Sequence, residues 1–140
     1  MFVDASAIVA ILAREAGAEA LIERIDNAAA PLLTSPLALV EATLGLARAK
    51  SGANAGRLEP ATIRAALDVV EAFVAANAIE IASLGAETAI GAVEAAATWG
   101  KLVGHPAALN LGDCFAYACA RAHGVSLLYK GDDFARTDLR

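Results

Sequence analysis

The chain has few aromatic residues and few prolines, and these shortages narrow the possible folds. Aromatic residues make up 5% of its 140 residues and only four are proline, whereas 58% of the chain is hydrophobic, with alanine as the main contributor. Small apolar side chains favour closely packed helices over a bulky β-core. At this length, folding can bury about 68% of the surface that the unfolded chain exposes. The composition therefore predicts a single folded domain, residues 1–140, without a disulfide framework.

Cysteines and long apolar runs are also scarce. Cys114 and Cys119 lie five positions apart in a predicted helix, about 140° around its axis, so they neither pair readily nor clamp one metal together. We expect two buried, reduced thiols. No apolar run approaches the roughly 18 residues that span a bilayer, and no basic segment precedes an apolar N-terminal stretch. A cytoplasmic protein without membrane contact is the expectation.

The chain also lacks an excess of basic residues. It has 11 lysines and arginines against 16 acidic residues, a formal net charge of −5. Affinity for nucleic acid that is independent of sequence comes mainly from Lys and Arg that neutralise phosphates, so this charge argues against a protein that coats nucleic acid. An enzyme that acts on RNA is not excluded, because divalent ions can supply positive charge at a carboxylate site.

Short apolar segments alternate with helical segments along the chain. Predicted strands lie at residues 2–4, 31–34, 79–81 and 125–129. Helices are predicted from residue 6 to about 27, from 36 to a loop at 51–56, and at 60–76, 86–99 and 110–123. This alternation predicts an α/β fold with a parallel sheet, helices on both faces and right-handed crossovers. Ligands of such sheets bind beyond the carboxyl ends of the strands, where the strand order reverses.

Glu41 is the most informative acidic residue. Leu37, Val40 and Leu44 share its helical face, which predicts that Glu41 points toward the core. An ionised carboxylate in that position must be paired with Arg or Lys, protonated, or bound to a cation. The spacing alone leaves these alternatives open.

Carboxylates from three other segments are expected at the same end of the sheet, and each also has an ordinary structural explanation. Asp4 can cap the first helix. Asp113 can lie in the first turn of a helix capped by Asn110, where the helix dipole favours an acid. Asp132 and Asp133 can form a turn after the last strand. The argument for a shared chemical role is that all of these segments meet at one end of the sheet.

A cluster of this kind requires a cation. Two carboxylates 4 Å apart repel by about 4 kcal/mol at an effective dielectric constant of 20, so without a cation some would be protonated. Oxygen ligands without paired His or Cys favour Mg²⁺ or Mn²⁺ over zinc or copper. The sequence therefore predicts a Mg²⁺ or Mn²⁺ site.

Four segments carry a family resemblance: Phe2-Val-Asp4-Ala-Ser6-Ala-Ile, Glu41-Ala-Thr, Leu111-Gly-Asp113-Cys-Phe-Ala-Tyr-Ala and Leu128-Tyr-Lys-Gly-Asp-Asp133-Phe134. In this order they resemble the PIN-domain ribonucleases, and most closely the VapC-type toxins of type II toxin-antitoxin systems. The resemblance implies a three-layer α/β/α fold with about five parallel strands in the order 3-2-1-4-5. It also implies that Asp4, Glu41, Asp113 and Asp133 are the catalytic and metal-binding residues.

The resemblance further implies the activity and the partners. The chain is expected to be an endoribonuclease toxin with RNA as its substrate, a cognate antitoxin that covers its site, and a homodimeric assembly. In the hypothetical mechanism, Asp4 and Asp113 hold the principal ion. A metal-activated water attacks in line and leaves a 5′-phosphate, while Glu41 accepts a proton.

Two assignments stay open within the resemblance. Asp133 is chosen as the fourth acid because it directly precedes Phe134, and Asp132 remains a substitute for it. Ser6 either orients Asp4 or a metal-bound water, or serves as a helix N-cap.

Two rival functions are also consistent with parts of the sequence. A haloacid dehalogenase-like phosphatase has an aspartate after strand 1, but it requires a second acid at the position that Ser6 occupies. A non-catalytic interaction module of the same fold would use the alanine-rich helices to bind a partner. Arg48, Lys50 and Lys130 are candidate contacts to RNA phosphates in the enzyme hypothesis.

Overall fold

The computed structural model describes residues 1–52 and 56–139, so residues 53–55 of the predicted loop lie outside the described part. Its regular elements, in chain order, are β1 (Phe2–Val3), α1 (Ala5–Leu12), α2 (Ala18–Asp26), β2 (Leu33–Thr34), α3 (Pro36–Ser51), α4 (Pro60–Ala76), β3 (Glu80–Ile81), α5 (Ala86–Trp99), α6 (Leu111–His123) and β4 (Leu127–Leu128). Short 3₁₀ helices lie at Lys101–Val103 and Phe134–Arg136. In the described ranges, no helix is long and apolar enough to cross a membrane.

The four strands form one parallel sheet in the order β3-β2-β1-β4. Phe2 of β1 pairs with Leu33 on one side and with Leu127 on the other, and it is fully buried. The predicted α/β class and the order 3-2-1-4 are confirmed, and residues 1–52 and 56–139 contain no fifth strand. Because β1 and β4 are neighbours, the segments that follow them leave the sheet side by side.

The predicted capping residues are found at the start of α3 and at the end of α6, two helices that carry site residues. Ser35 caps α3, since its side chain accepts a hydrogen bond from the Ala38 amide at 3.1 Å, and Pro36 occupies the first turn. Gly124 ends α6 with a φ of +62°. Glycine adopts this left-handed conformation without the steric cost that a side chain would add.

The helical stretch predicted from residue 6 to about 27 is largely confirmed, but the break within it was not predicted. The structure has α1 and α2, separated by a turn in which Arg14 has a φ of +56° and Gly17 a φ of +88°. A left-handed residue cannot continue a right-handed α-helix, so these positions end one helix and reorient the next. The turn brings Glu15 and the Ala16 carbonyl group to the end of the sheet where Asp4 lies.

The prediction of which face of α3 is buried is wrong. Val40 and Leu44 are 54% and 38% exposed. The buried side is formed mainly by small residues: Ala38, Ala42, Thr43, Leu46 and Ala47. Small side chains permit close helix packing, and a Cβ atom on Gly45 would lie only 2.9 Å from Cγ2 of Val9 in α1. Glu41 consequently lies at the border of the buried face.

Candidate functional site

Asp4 is fixed at the carboxyl end of β1 by backbone and side-chain hydrogen bonds. Its amide donates to the Leu128 carbonyl group at 2.9 Å, which ties it to β4. Its Oδ2 atom accepts hydrogen bonds from the Ser6 amide at 2.9 Å and from the Ser6 hydroxyl at 2.5 Å. The N-cap role considered for Asp4 is confirmed, whereas the one considered for Ser6 is wrong, because α1 begins at Ala5. Asp4 is only 4% exposed.

Ser6 links Asp4 to the segment after β4. While its hydroxyl donates to Asp4, the same oxygen accepts a hydrogen bond from the Lys130 amide at 3.0 Å. The Lys130 ammonium group donates to the Ala16 carbonyl group in the turn between α1 and α2. Ser6 therefore orients the Asp4 carboxylate and holds the two neighbouring segments together.

Asp113 lies in the first turn of α6, as predicted, and forms a reciprocal capping box with Asn110. The Asp113 amide donates to Oδ1 of Asn110 at 3.1 Å, and the Asn110 amide donates to Oδ2 of Asp113 at 2.8 Å. Such a box satisfies two backbone donors that the start of a helix otherwise leaves unpaired. It also fixes the direction in which the Asp113 carboxylate leaves the helix.

Glu41 approaches the same region from α3. Its carboxylate lies against the backbone of Gly112, beside Asp113 in the first turn of α6. Glu41 is half-buried, which agrees with its position at the border of the packed face of α3. It therefore reaches the site from the edge of a helix, and not from the apolar core face that the sequence had predicted.

A cleft of about 320 Å³ collects most of the predicted site residues. Its lining consists of Asp4, Ala5, Ser6, Val9, Glu15, Glu41, Asn110, Asp113 and Lys130. Three of the four predicted acids are therefore brought together. Glu15 was missed by the sequence analysis, because the turn that carries it was predicted to be helix. Asp133 is outside the lining, although its charge acts on the cleft.

The acids of the cleft raise one another's pKa. Burial raises the pKa of Asp4 above its ordinary value, the hydrogen bonds from Ser6 oppose this shift, and the charge of Asp133 adds to it. Burial also raises the pKa of Glu41, followed by the charges of Asp4 and Asp113. Each of the four predicted acids therefore repels at least two of the others.

Asp113 has the clearest shift. Its pKa is raised to about 6, mainly by burial and also by the charges of Asp4 and Asp133, while the hydrogen bond from the Asn110 amide acts in the opposite direction. Asp133, rather than Asp132, is thus the acid after β4 whose charge reaches both Asp4 and Asp113.

A basic partner for these acids is absent from the described part of the chain. The ion pair found there joins Arg121 to Asp138 at 3.1 Å, away from the cleft. Lys130 lines the cleft, but its ammonium group bonds to a backbone carbonyl group instead of a carboxylate. The ion pair with Arg or Lys that was considered for Glu41 is therefore not found within residues 1–52 and 56–139.

Comparison with known proteins agrees with this arrangement. The PIN domain family matches residues 1–139. The chain belongs to the PIN-domain family. A VapC ribonuclease of Rhizobium meliloti (strain 1021) is 45% identical over 99% of this chain and 98% of its own length. Ribonuclease VapC42 of Mycobacterium tuberculosis is 36% identical over 100% of this chain and 97% of its own length. The predicted resemblance to VapC ribonucleases is confirmed.

A solved structure shows the same fold as this PIN domain. The crystal structure of Mycobacterium tuberculosis VapC20, a toxin that cleaves the sarcin-ricin loop, superposes with a TM-score of 0.72 at 19% sequence identity. The match covers 99% of this chain and 95% of the VapC20 chain. Membership of the PIN-domain family leaves the haloacid dehalogenase alternative without support.

The donor set of this PIN domain fits a hard divalent cation. The cleft offers carboxylate oxygens without histidine or cysteine, which is the chemistry that Mg²⁺ and Mn²⁺ prefer. Burial and mutual repulsion are the costs that a cation would relieve. No three acidic, histidine or cysteine side chains within the described ranges already stand in a metal-binding arrangement. A cation held in this cleft would therefore require the carboxylates to move closer together.

The raised pKa of Asp113 predicts how the metal-free PIN domain responds to pH. The unfolded chain ionises Asp113 near pH 3.9, and the folded chain near pH 6. Its contribution to stability is thus fully present below pH 4 and is lost as the pH rises through 6. In EDTA at pH 7.5, Asp113→Asn should increase the free energy of unfolding by about 1–2 kcal/mol, after a discount for solvent screening of this partly exposed side chain and for the weakened dipole interaction.

Urea unfolding at pH 7.5 and at pH 4 measures this effect. The gain in Asp113→Asn should disappear at pH 4, where the wild-type side chain is protonated. Asp68→Asn is the matched control, because Asp68 is an exposed acid on α4 and its replacement should change stability by less than about 0.5 kcal/mol. Destabilisation by Asp113→Asn at pH 7.5 would contradict the proposed repulsion.

Proposed function

We propose that this PIN domain is a toxin endoribonuclease that hydrolyses RNA with Mg²⁺ or Mn²⁺ held by Asp4, Glu41, Asp113 and Asp133. The observation that carries the proposal is the buried carboxylate of Asp4, coupled to three other acids without a basic partner in the described residues. The names of the VapC relatives support the ribonuclease activity.

Asp4 and Asp113 are the best candidates for the principal ligands. Each carboxylate is anchored through its Oδ2 atom, by Ser6 in one case and by the Asn110 amide in the other. We assign the Oδ1 atoms to the ion, because an anchored carboxylate loses little freedom when it binds a metal. Ligands oriented by such hydrogen bonds are a general feature of metal sites.

Glu41 is our candidate for the proton acceptor. Its raised pKa brings it closer to neutral pH than an ordinary glutamate, which improves a carboxylate as a general base. The bound ion would supply Lewis-acid chemistry, polarising the scissile phosphate and acidifying the attacking water. Asp133 would complete the negative charge that attracts the ion.

Lys130 is the candidate for a contact to the RNA backbone. Among the described residues, it is the basic one that lines the cleft. Replacing its bond to the Ala16 carbonyl group with a bond to a phosphate would place a positive charge beside the reacting group. The other two proposed phosphate contacts, Arg48 and Lys50, are exposed near the end of α3 and do not line the cleft.

Cleavage of total bacterial RNA, both free and in ribosomes, tests the proposed function. The purified protein should cleave this RNA when Mg²⁺ or Mn²⁺ is present, and EDTA should stop the cleavage. The products should carry 5′-phosphate ends that can be ligated. Asp4→Asn should reduce the rate by at least about 100-fold, because it removes an anchored ligand. Activity that persists in EDTA or in Asp4→Asn would contradict the proposal. No cleavage with either ion would leave the non-catalytic module.

A pair of adjacent acids provides the matched comparison in the same assay. Asp133→Asn should lower the cleavage rate substantially, because its charge reaches Asp4 and Asp113. Asp132→Asn should stay within about threefold of the wild-type rate, because Asp132 is exposed and its charge is not among those that raise the pKa of Asp4, Glu41 or Asp113. The reverse result would exchange the two assignments.

We further propose a cytoplasmic toxin that forms a homodimer and binds a cognate antitoxin. Unpaired, buried Cys114 and Cys119 fit a reducing compartment. An apolar groove of about 470 Å³ shares Asn110 with the acidic cleft, and its lining includes the large exposed apolar residues Val93, Leu102 and Leu111. Exposed apolar surface of this kind is typical of protein interfaces.

The gene immediately upstream offers a direct test of this partnership. Its product, co-expressed with the chain, should form a stable complex that suppresses RNA cleavage, and light scattering of the chain alone should give the mass of a dimer. A monomer that neither binds nor is inhibited by that product would contradict both partner assignments.

A further inference from the structure

We propose that Gly112 is a positioning residue for Glu41, because the absence of a side chain at residue 112 leaves the space that the Glu41 carboxylate occupies. This inference rests on the proposed function, since it concerns the acid assigned to proton transfer and metal binding. It adds a residue without a side chain, Gly112, to the predicted site residues, all of which are acids.

The contact between α3 and α6 is unusually close at this point. A Cβ atom on Gly112 would lie well inside 3.0 Å of Oε1, Oε2 and Cδ of Glu41. Van der Waals repulsion forbids such an approach, so an alanine at residue 112 and the present position of the carboxylate are incompatible. Gly112 stands apart in this respect from the other described glycines, none of which would place its Cβ atom against a carboxylate.

Backbone conformation does not explain the glycine. Gly112 is not among the positive-φ glycines, and it lies within the first turn of α6. An α-helix accepts alanine more readily than glycine, by about 1 kcal/mol. The helix itself would therefore gain from Gly112→Ala, whereas the contact with Glu41 opposes the substitution.

Neither backbone can easily move away to relieve the overlap. The start of α6 is held by the two hydrogen bonds between Asn110 and Asp113. The backbone of α3 is held by its buried small residues and by the close approach of Gly45 to Val9. The Glu41 side chain is the flexible partner, so it should rotate out of the cleft while the fold stays intact.

Gly112→Ala should therefore disturb the geometry of the site without lowering the stability of the protein. We expect the midpoint of thermal unfolding to stay within a few degrees of the wild type or to rise. Mn²⁺ affinity measured by calorimetry, and the Mn²⁺-dependent rate of RNA cleavage, should each fall by about 10- to 100-fold, the usual effect of disturbing the support of a metal ligand. Gly91→Ala is the control, because its Cβ atom would meet only the Ala118 methyl group, at 3.3 Å.

Shortening the acid provides a rescue test. Glu41→Asp withdraws the carboxylate by one carbon–carbon bond, roughly 1.5 Å, which removes the overlap with an added methyl group. Glu41→Asp alone should weaken Mn²⁺ binding and cleavage. Adding Gly112→Ala to that variant should change both quantities by less than about threefold, so the two substitutions should be strongly non-additive.

The same measurements distinguish failure of the positioning role from failure of the proposed function. Wild-type Mn²⁺ affinity and cleavage in Gly112→Ala would overturn the positioning role, as would an equal loss from Gly112→Ala in the wild-type and Glu41→Asp backgrounds. If wild-type protein neither binds Mn²⁺ nor cleaves RNA, the proposed function itself fails.

Discussion

The repulsion among acidic side chains around Asp4 is the constraint on which the rest of the site depends. Asp4 is almost completely buried, and the charges of Glu41, Asp113 and Asp133 are coupled to it or to one another. Neutral residues in place of these acids would make the folded protein more stable. The Mg²⁺ or Mn²⁺ site that we propose would account for their presence without a basic partner in the described residues.

The fold creates this cluster by bringing together the carboxyl ends of two strands, the first turn of α6 and the side of α3. The neighbouring strands β1 and β4 deliver Asp4 and the segment that contains Asp133, and the amide of Asp4 bonds directly to β4. The first turn of α6 delivers Asp113, while α3 delivers Glu41 from the side. Hydrogen bonds from Ser6 and Asn110 then fix two of the carboxylates, so their capping roles and their proposed chemical roles coexist.

The sequence predicted the local features more reliably than the contacts between distant elements. Capping by Asp4 and Ser35 and the first-turn position of Asp113 follow from short-range hydrogen bonding, and the structure confirms them. The strand order came from the family resemblance, because periodicity does not specify which strands are neighbours. The break in the first helical stretch was not predicted, since the left-handed turn at Arg14 has no strong sequence signal.

Glu41 and Gly112 show where sequence reasoning reaches its limit. Glu41 was singled out because apolar residues share its helical face, yet two of those residues are largely exposed and small residues make the packed side instead. Alanine-rich helices offer several faces of similar hydrophobicity, so the pattern did not decide between them. The contact of Glu41 with Gly112 joins positions 71 residues apart and depends on the distance between two helices, which no local pattern expresses.

A crystal structure of the wild-type protein soaked in Mn²⁺, with the ion located by anomalous scattering, would show directly whether the acidic cleft binds a cation. We expect a peak in the cleft within about 2.5 Å of carboxylate oxygens of both Asp4 and Asp113. A saturating soak that gives no peak there, or an ion bound by other residues, would contradict it.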